Sequence, residues 1–243
     1  MVRNRSKLLT TYYSLLTKFM EVIPVINQPD LERVTRTLAA LERFLPAGQR
    51  VHLDVADARF TFHKSWSDAD LWPKLRSPYA LEVHLMAEEP EKLAAEWLKA
   101  GAKRIIVHYE TLRDPKMHHH SFRPEKVFGE ILSAARASGA ELMLAVNPET
   151  PVEAIRPLLA DVSGFLVLAV HPGLAGQSFL PIVFDKIRLL RRERPDAKIT
   201  VDGGVNAELA RKVREAGADA VTSASYILEN GDPASAYQEL SQA

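Results

Sequence analysis

Two side chains in one short strand-like segment could bind a metal ion or exchange a proton. Between Val51 and Val55 apolar and polar residues alternate, so His52 and Asp54 point to the same face of the predicted strand. Burying a histidine and a carboxylate together is costly unless they share a cation, exchange a proton or reach solvent. This pair therefore marks a candidate site, around which other polar residues can be placed.

Polar residues also stand at the ends of other predicted strands. His84 lies at the end of the third strand candidate, and Asp202 follows the seventh. Histidine nitrogens and carboxylate oxygens suit zinc, iron, manganese or cobalt, and the chain has no cysteine to supply a thiolate. A lone histidine is more often a hydrogen-bonded core residue, but four such groups at matching strand ends favour one divalent metal ion. The predicted ligands are His52, Asp54, His84 and Asp202.

The elements that must position these residues alternate regularly along the chain. Helical stretches with start and stop signals separate the strand candidates: Pro90 opens one that stops at Gly101, a capping box at Thr150–Glu153 opens another, and Asn206 caps a third. The eight strand candidates are Val22–Ile26, Val51–Val55, Leu81–Leu85, Arg104–Val107, Glu141–Val146, Phe165–Val170, Lys198–Val201 and Ala220–Thr222. We therefore predict an α/β fold with a single (β/α)8 TIM barrel over residues 20–243, preceded by an extension, helix or tail, over residues 1–19.

Glycines near the predicted strand ends indicate an anion seat. In a barrel of this kind the chemistry lies at the carboxyl ends of the strands, and phosphate sites after strands 7 and 8 recur. Gly203 and Gly204 precede the helix that Asn206 caps, so free backbone N–H groups there could hold a phosphate. Ser225, after strand 8, could add a contact, and the loop from Gly173 to Gly176, after strand 6, could close over the site.

Composition excludes several classes of partner. The 243 residues carry 31 basic and 31 acidic side chains, so bulk charge argues against binding to nucleic acid or to an anionic membrane. No apolar run approaches the ~20 residues that span a bilayer, and we expect a cytoplasmic protein. Trp66 and Trp72 are expected to serve packing or subunit contact, and we expect a homo-oligomer.

Several motifs, in order, resemble the ribulose-phosphate 3-epimerase family. The resemblance covers roughly Val22 to Leu228, and the Pro-Gly-x-x-Gly-Gln-Ser-Phe loop together with the Val-Asp-Gly-Gly turn makes it specific. The motifs are His52-Leu53-Asp54-Val55-Ala56-Asp57, Val83-His84-Leu85-Met86, Asn147-Pro148-Glu149-Thr150-Pro151, His171-Pro172-Gly173-Leu174-Ala175-Gly176-Gln177-Ser178-Phe179 and Val201-Asp202-Gly203-Gly204-Val205-Asn206. The resemblance implies a barrel of the ribulose-phosphate-binding type.

The resemblance also implies a reaction: metal-dependent epimerisation of D-ribulose 5-phosphate to D-xylulose 5-phosphate. Asp54 and Asp202 would be the acid/base pair, one removing the C3 proton and the other returning a proton on the opposite face. Both would also bind the metal beside His52 and His84, and Met86 would pack beside the intermediate. A cation that stabilises the developing oxyanion makes this chemistry physically reasonable.

The chain departs from the family pattern in the lining of the site. The departures leave two alternatives open: a related barrel that acts on a different sugar phosphate, and a non-catalytic barrel that binds one. A decarboxylase or aldolase of the related barrels is disfavoured, because Ala56 stands where those enzymes need a lysine. The departures are Val25, Ala56, Ala58, Thr61-Phe62-His63, Leu168, Ala175 and Ala224.

Overall fold

A computed structural model describes residues 19–113, 124–173 and 177–243 of the chain. Apart from Phe19, the predicted extension over residues 1–19 lies outside the described residues. None of the helices in these three ranges is long and apolar enough to cross a membrane.

Eight parallel strands close into one barrel in sequence order, as predicted. Their ends differ from the predicted ones by no more than two residues. The strands are β1 (Glu21–Ile26), β2 (Arg50–Ala56), β3 (Ala80–Met86), β4 (Arg104–His108), β5 (Glu141–Val146), β6 (Gly164–Leu168), β7 (Lys198–Asp202) and β8 (Ala220–Ser223).

Helices surround the barrel and follow the strands. In the described ranges they are α1 (Leu31–Leu41), α2 (Pro90–Lys99), α3 (Tyr109–Arg113), α4 (Pro124–Ser138), α5 (Val152–Ile155), α6 (Val183–Glu193), α7 (Ala207–Ala216), α8 (Ser225–Leu228) and α9 (Pro233–Ser241). Short 3₁₀ helices cover Ala69–Leu75 and Arg156–Leu158.

The helix signals in the sequence are confirmed at two of three places. Pro90 begins α2, and the side chain of Asn206 caps α7, which ends at Gly217 with φ 115°. The predicted capping box at Thr150 is wrong, because α5 starts after Pro151 with no side-chain cap. The Thr150 hydroxyl instead donates a hydrogen bond to Glu110 Oε1, which ties the start of α5 to the end of β4.

The barrel interior is divided into an apolar part and a polar part. Ile106, Met143, Ala145, Leu166 and Leu168 form a separate buried cluster inside β4, β5 and β6. Polar side chains on β2, β3 and β4 are buried elsewhere in the interior, and each must find a partner because burial without one is costly. They are His52, Asp54, Glu82, His84, Arg104 and His108.

The layer between barrel and helices is apolar and includes all three tryptophans. Trp97 on α2 is fully buried, and its ring lies 5.9 Å from that of Trp66 and 6.4 Å from that of Trp72, both edge-on. This arrangement matches the geometry that aromatic pairs prefer. Trp66 and Trp72 therefore serve packing within the chain.

Candidate active site

Three ligand atoms meet at one point near the carboxyl ends of β2 and β3. His52 Nε2 lies 3.1 Å from Asp54 Oδ1, and His84 Nδ1 lies 3.0 Å from the same oxygen. Strand register causes the meeting: Asp54 is the direct partner of His84 across the β2–β3 pair, and His52 lies two residues earlier on the same face. The ligand atoms of these three buried residues all lie within 4.8 Å of one another.

The second ring nitrogen of His52 is held by a buried carboxylate. His52 Nδ1 lies 2.7 Å from Glu82 Oε1, and the other oxygen of Glu82 accepts a hydrogen bond from Arg104 Nη1 at 2.6 Å. Burial favours the neutral acid, but His52 and Arg104 hold the pKa of Glu82 below its ordinary value. Glu82 is therefore ionised, His52 Nδ1 carries the proton, and Nε2 faces Asp54.

The second ring nitrogen of His84 is held by a longer chain. His84 Nε2 lies 2.8 Å from His108 Nε2, and His108 Nδ1 lies 3.2 Å from Glu110 Oε2. Burial lowers the pKa of His108, so its ring is neutral, with one donor and one acceptor nitrogen. Glu110 is ionised, since hydrogen bonds from His108, Thr150 and the Asn147 amide outweigh burial and lower its pKa. His108 therefore donates to Glu110, and His84 Nε2 donates to His108.

These two chains of hydrogen bonds leave a place that requires a cation. His52 Nε2 and His84 Nδ1 both direct a lone pair toward Asp54 Oδ1, and three electron-rich atoms repel one another unless positive charge lies between them. Burial opposes protonation of His52, but Asp54 and Glu82 raise its pKa to about 10. Burial likewise favours neutral Asp54, yet His52 and His84 hold its pKa below the ordinary range. The donors thus bind a proton or a metal ion.

The donor set fits a divalent metal ion. Two imidazole nitrogens and one carboxylate oxygen are ligands that zinc, iron, manganese and cobalt accept. Histidines that bind metals usually donate their other N–H to a carboxylate or to another acceptor, as His52 does to Glu82 and His84 does to His108.

Asp202, the fourth predicted ligand, lies apart from this group of three. It ends β7 and lines the cavity that Asp54 also lines. Its Oδ1 accepts a hydrogen bond from the Thr222 hydroxyl on β8. Because β8 and β1 stand between β7 and β2 in the barrel, Asp202 and Asp54 reach the cavity from different sides.

The cavity at the barrel mouth has a volume of about 320 Å³, enough for a small metabolite. Met86, at the end of β3, gives it an apolar wall beside Asp54. The predicted site residues that line it are Asp54, Met86, Gly173, Asp202, Gly203, Gly204 and Ser225. His52 and His84 are buried and do not line it, and Gly176 lies outside the described residues.

Gly203 and Gly204 occupy positions that only glycine fits. Their φ angles are 101° and 65°, and a Cβ on Gly203 would meet Val170 Cγ2 at 2.3 Å. A Cβ on Gly204 would lie 2.8 Å from the Gln177 carbonyl oxygen and 2.9 Å from the Phe179 amide nitrogen. Both glycines line the cavity shortly before α7 begins.

Two of the departures from the family pattern, Ala58 and Ala224, differ in backbone conformation. Ala58 has φ 62°, a left-handed conformation that strains any residue with a Cβ. Ala224 has φ −101°, so a Cβ there carries no such strain. The departure at Ala224 therefore does not place a side chain on a left-handed backbone.

Sequence reasoning missed five residues that bond to the predicted ones directly or through one neighbour. Glu82 alternates with His84 and so shares its face, a signal that could have identified it. His108 and Glu110 are separated by one residue, but only the fold shows that they face His84. Asn27 and His63 lie 36 positions apart, and no local signal joins them; Asn27 donates to Asp54 Oδ2 at 3.0 Å, and its Oδ1 lies 2.8 Å from His63 Nε2.

Fold and site together define a class: a (β/α)8-barrel enzyme whose active site lies at the carboxyl ends of the strands. A sequence model of the Ribulose-phosphate 3 epimerase family matches residues 21–228. Ribulose-phosphate 3-epimerase from Synechocystis sp. is 34% identical over 220 residues, which cover 87% of this chain and 89% of that protein. Ribulose-phosphate 3-epimerase from Chlamydia trachomatis is 32% identical over 215 residues, covering 86% of each. The chain belongs to the ribulose-phosphate 3-epimerase family, a family of isomerases.

Solved structures with low sequence identity share the fold. The crystal structure of 3-hexulose-6-phosphate synthase from Salmonella typhimurium aligns with a TM-score of 0.66 at 14% identity, covering 92% of this chain and 97% of that one. A tryptophan synthase α-subunit from Pyrococcus furiosus aligns with a TM-score of 0.61 at 18% identity, covering 93% and 98%. At these identities the two structures support the (β/α)8 fold and no statement about activity.

Proposed function

We propose that the protein catalyses metal-dependent epimerisation at C3 of a pentulose phosphate, interconverting D-ribulose 5-phosphate and D-xylulose 5-phosphate. The observation that carries the proposal is the pair of carboxylates, Asp54 on β2 and Asp202 on β7, that line one cavity from different sides. Inversion at a carbon needs a proton removed from one face and delivered to the other, and two such carboxylates can do both.

Asp54 and Asp202 exchange roles with the direction of the reaction. Asp54, through Oδ2, takes the proton from C3, and the electron pair left on carbon spreads onto the C2 carbonyl oxygen. Protonated Asp202 then delivers its proton to C3 from the opposite face, and the carbonyl re-forms. The Thr222 hydroxyl donates to Asp202 Oδ1, so Oδ2 is the oxygen proposed to carry the proton for C3. Both carboxyl groups are restored by the reverse reaction or by exchange with solvent.

A carboxylate alone is a weak base toward a carbon acid, so the developing negative charge must be stabilised. When bound by His52, Asp54 and His84, a divalent metal ion would supply that stabilisation as a Lewis acid. Asp202 is the fourth proposed ligand, reaching from β7. Zinc, iron, manganese and cobalt are the candidates that this donor set allows.

The phosphate of the substrate binds at the Gly203–Gly204 turn and Ser225 in this proposal, with the loop that begins at Gly173 closing over it. The backbone N–H groups before α7 and the helix dipole favour a dianion there. Binding energy from this remote group positions the reacting carbon between Asp54 and Asp202. Ribulose without its phosphate should therefore be a very poor substrate.

A second candidate is the same chemistry on a different ketose phosphate. It is favoured by the cavity wall at the end of β1, where apolar Val25 and polar Asn27 face the substrate side. Both candidates use the same two carboxylates and the same phosphate seat, so only the hydroxyl pattern of the sugar separates them.

The test is a proton–deuterium exchange assay at C3, with the metal-loaded protein, across a panel of ketose phosphates in deuterated water. If the first candidate function is correct, deuterium enters at C3 and ribulose 5-phosphate and xylulose 5-phosphate interconvert. Activity on another ketose phosphate alone would favour the second candidate. The absence of exchange on every member of the panel would contradict both and favour a non-catalytic barrel that binds a sugar phosphate.

A further inference from the structure

The two oxygens of the Asp54 carboxylate have different partners. Oδ1 faces His52 and His84, as described above. Oδ2 accepts a hydrogen bond from Asn27 Nδ2 at 3.0 Å, and both Asn27 and Asp54 line the cavity. In the proposed reaction Oδ2 is the oxygen left to receive the C3 proton, so Asn27 touches the reacting atom of the base.

The orientation of the Asn27 amide follows from its neighbours. If the amide were flipped, its carbonyl oxygen would face the Asp54 carboxylate, and the two would repel. With Nδ2 toward Asp54, Oδ1 must accept, and His63 Nε2 lies 2.8 Å from it. His63 therefore carries its proton on Nε2. Asn27 Nδ2 is also 3.4 Å from the Gly173 carbonyl oxygen, on the loop after β6.

The loop that carries His63 is anchored at both ends. Asp57 and Lys64 form an antiparallel bridge, and the Ala58 amide donates to the His63 carbonyl at 3.1 Å. Asp57 caps the loop by accepting from the amides of Arg59 and Phe60 at 2.8 and 3.0 Å. These backbone hydrogen bonds fix the position from which the His63 side chain reaches Asn27.

We propose that Asn27 is a positioning residue that holds Asp54 Oδ2 in the direction of proton transfer, and that His63 acts through Asn27 by fixing its amide. This inference rests on the proposed function. The terminal torsion of an aspartate is soft and broad, so without Asn27 the carboxylate would be freer to turn about its Cβ–Cγ bond, which displaces Oδ2. Asn27 and His63 together connect the base, the loop after β2 and the loop after β6.

Two effects of the Asn27 hydrogen bond oppose each other. A neutral amide donor stabilises the carboxylate, and its removal would raise the basicity of Asp54 by about tenfold at most. Misplacement of a reacting group by ~1 Å costs about 100-fold in rate. The positioning effect is larger, so removal of the amide should slow the reaction.

The test compares Asn27→Leu, which keeps the size of the side chain and removes both polar groups, with the metal-loaded wild type. We expect kcat to fall by about tenfold or more while KM changes by less than about threefold. Metal affinity, measured on the metal-stripped protein by titration, should change by less than about threefold, because Oδ1 and not Oδ2 faces the histidines. A purely structural role would lower metal affinity and kcat together.

His63 provides an independent arm of the test. His63→Ala should lower kcat by a smaller factor, His63→Gln should recover it by donating to Asn27 Oδ1, and His63→Ala should add nothing to Asn27→Leu. Lys64→Ala is the matched control, since Lys64 is the exposed neighbour of His63 on the same loop, does not line the cavity and should leave kcat unchanged. Nitrogen NMR of the His63 ring should report a proton on Nε2 in the wild type.

The outcomes separate this inference from the proposed function. A wild type without exchange on any ketose phosphate would overturn both. An active wild type with Asn27→Leu equal to it or faster, a rise in KM alone, or additive effects of the two variants would overturn the positioning role and leave the proposed function intact.

Discussion

The Nε2 atoms of His84 and His108 lie 2.8 Å apart in the barrel interior. Two imidazole nitrogens at that distance must share one proton, and the contact of His108 Nδ1 with ionised Glu110 assigns that proton to His84. The consequence appears at the other side of the His84 ring, where Nδ1 is left with a free lone pair toward Asp54. A residue on β4 thus sets the tautomer of a proposed metal ligand on β3.

The first prediction concerns this contact. His108→Phe keeps a ring of similar size but removes the acceptor for His84 Nε2–H, so we expect metal affinity to fall by about 10- to 100-fold. His108→Gln, which offers an amide oxygen, should recover part of the loss. Chelator competition on the purified proteins measures the dissociation constants. Met143→Leu, a volume-conserving change in the apolar part of the interior, is the control and should stay near wild type. An unchanged affinity in His108→Phe would refute the tautomer assignment.

The second prediction concerns the buried ion pair below the site. Glu82 is fully buried and Arg104 is 4% exposed, with Nη1 2.6 Å from Oε2. Arg104→Met removes the nearest cation from buried Glu82 and leaves it His52 and the more distant Arg50, so we expect the free energy of unfolding to fall by about 3 kcal/mol. Urea unfolding measures it. Arg188→Met, which removes an exposed pair with Asp185, should cost less than about 1 kcal/mol. Equal losses in the two variants would contradict the prediction.

The third prediction concerns the backbone strain at Ala58. Because Ala58 holds φ 62°, Ala58→Gly should raise the free energy of unfolding by about 1 kcal/mol. Ala95→Gly, at an exposed position inside α2, should lower it by about the same amount. Thermal or urea unfolding of both variants gives the comparison. A destabilised Ala58→Gly would mean that the loop does not hold this conformation in solution.

The fourth prediction is a pH dependence of stability at Lys186. Burial lowers the pKa of Lys186 from 10.5 to about 8, although Glu110 and Glu149 oppose the shift. Its amino group donates to the carbonyl oxygens of Asn147 and Pro148, which joins α6 to the end of β5. Since the folded pKa is below the unfolded one, the unfolded chain binds more protons between pH 8 and 10.5, and stability contributed by Lys186 rises with pH there.

The measurement for Lys186 is the difference in unfolding free energy between wild type and Lys186→Met at several pH values. The difference should move in favour of the wild type as pH rises above 8, by about 3 kcal/mol at most. Comparison with the variant removes contributions from other groups that titrate in the same range. A difference that is flat, or that moves toward the variant, would contradict a lowered pKa.

The fold was accessible from the sequence because its signals are local. Alternation in Val51–Val55 and the Asn206 and Gly217 caps depend on neighbours in the chain, and these elements form as predicted. The grouping of His52, Asp54 and His84 was accessible because barrel strands end at one edge. The contact of Asn27 with His63 was not, because it depends on a loop with a strained Ala58 that brings together positions 36 residues apart. The capping box predicted at Thr150 does not form, because the Thr150 hydroxyl bonds Glu110, which is distant in the sequence.

The expected homo-oligomer stays a prediction, which light scattering would test.

The two-base reaction is tested most directly by Asp202→Asn incubated with each epimer, D-ribulose 5-phosphate and D-xylulose 5-phosphate, in deuterated water. This variant keeps His52, Asp54 and His84, so it should still bind metal, and Asp54 remains a base for one face of C3. We predict exchange of the C3 hydrogen in only one epimer and no interconversion, followed by NMR of the sugar. Epimerisation at the wild-type rate, or exchange from both epimers, would contradict the assignment of Asp54 and Asp202 as the two bases.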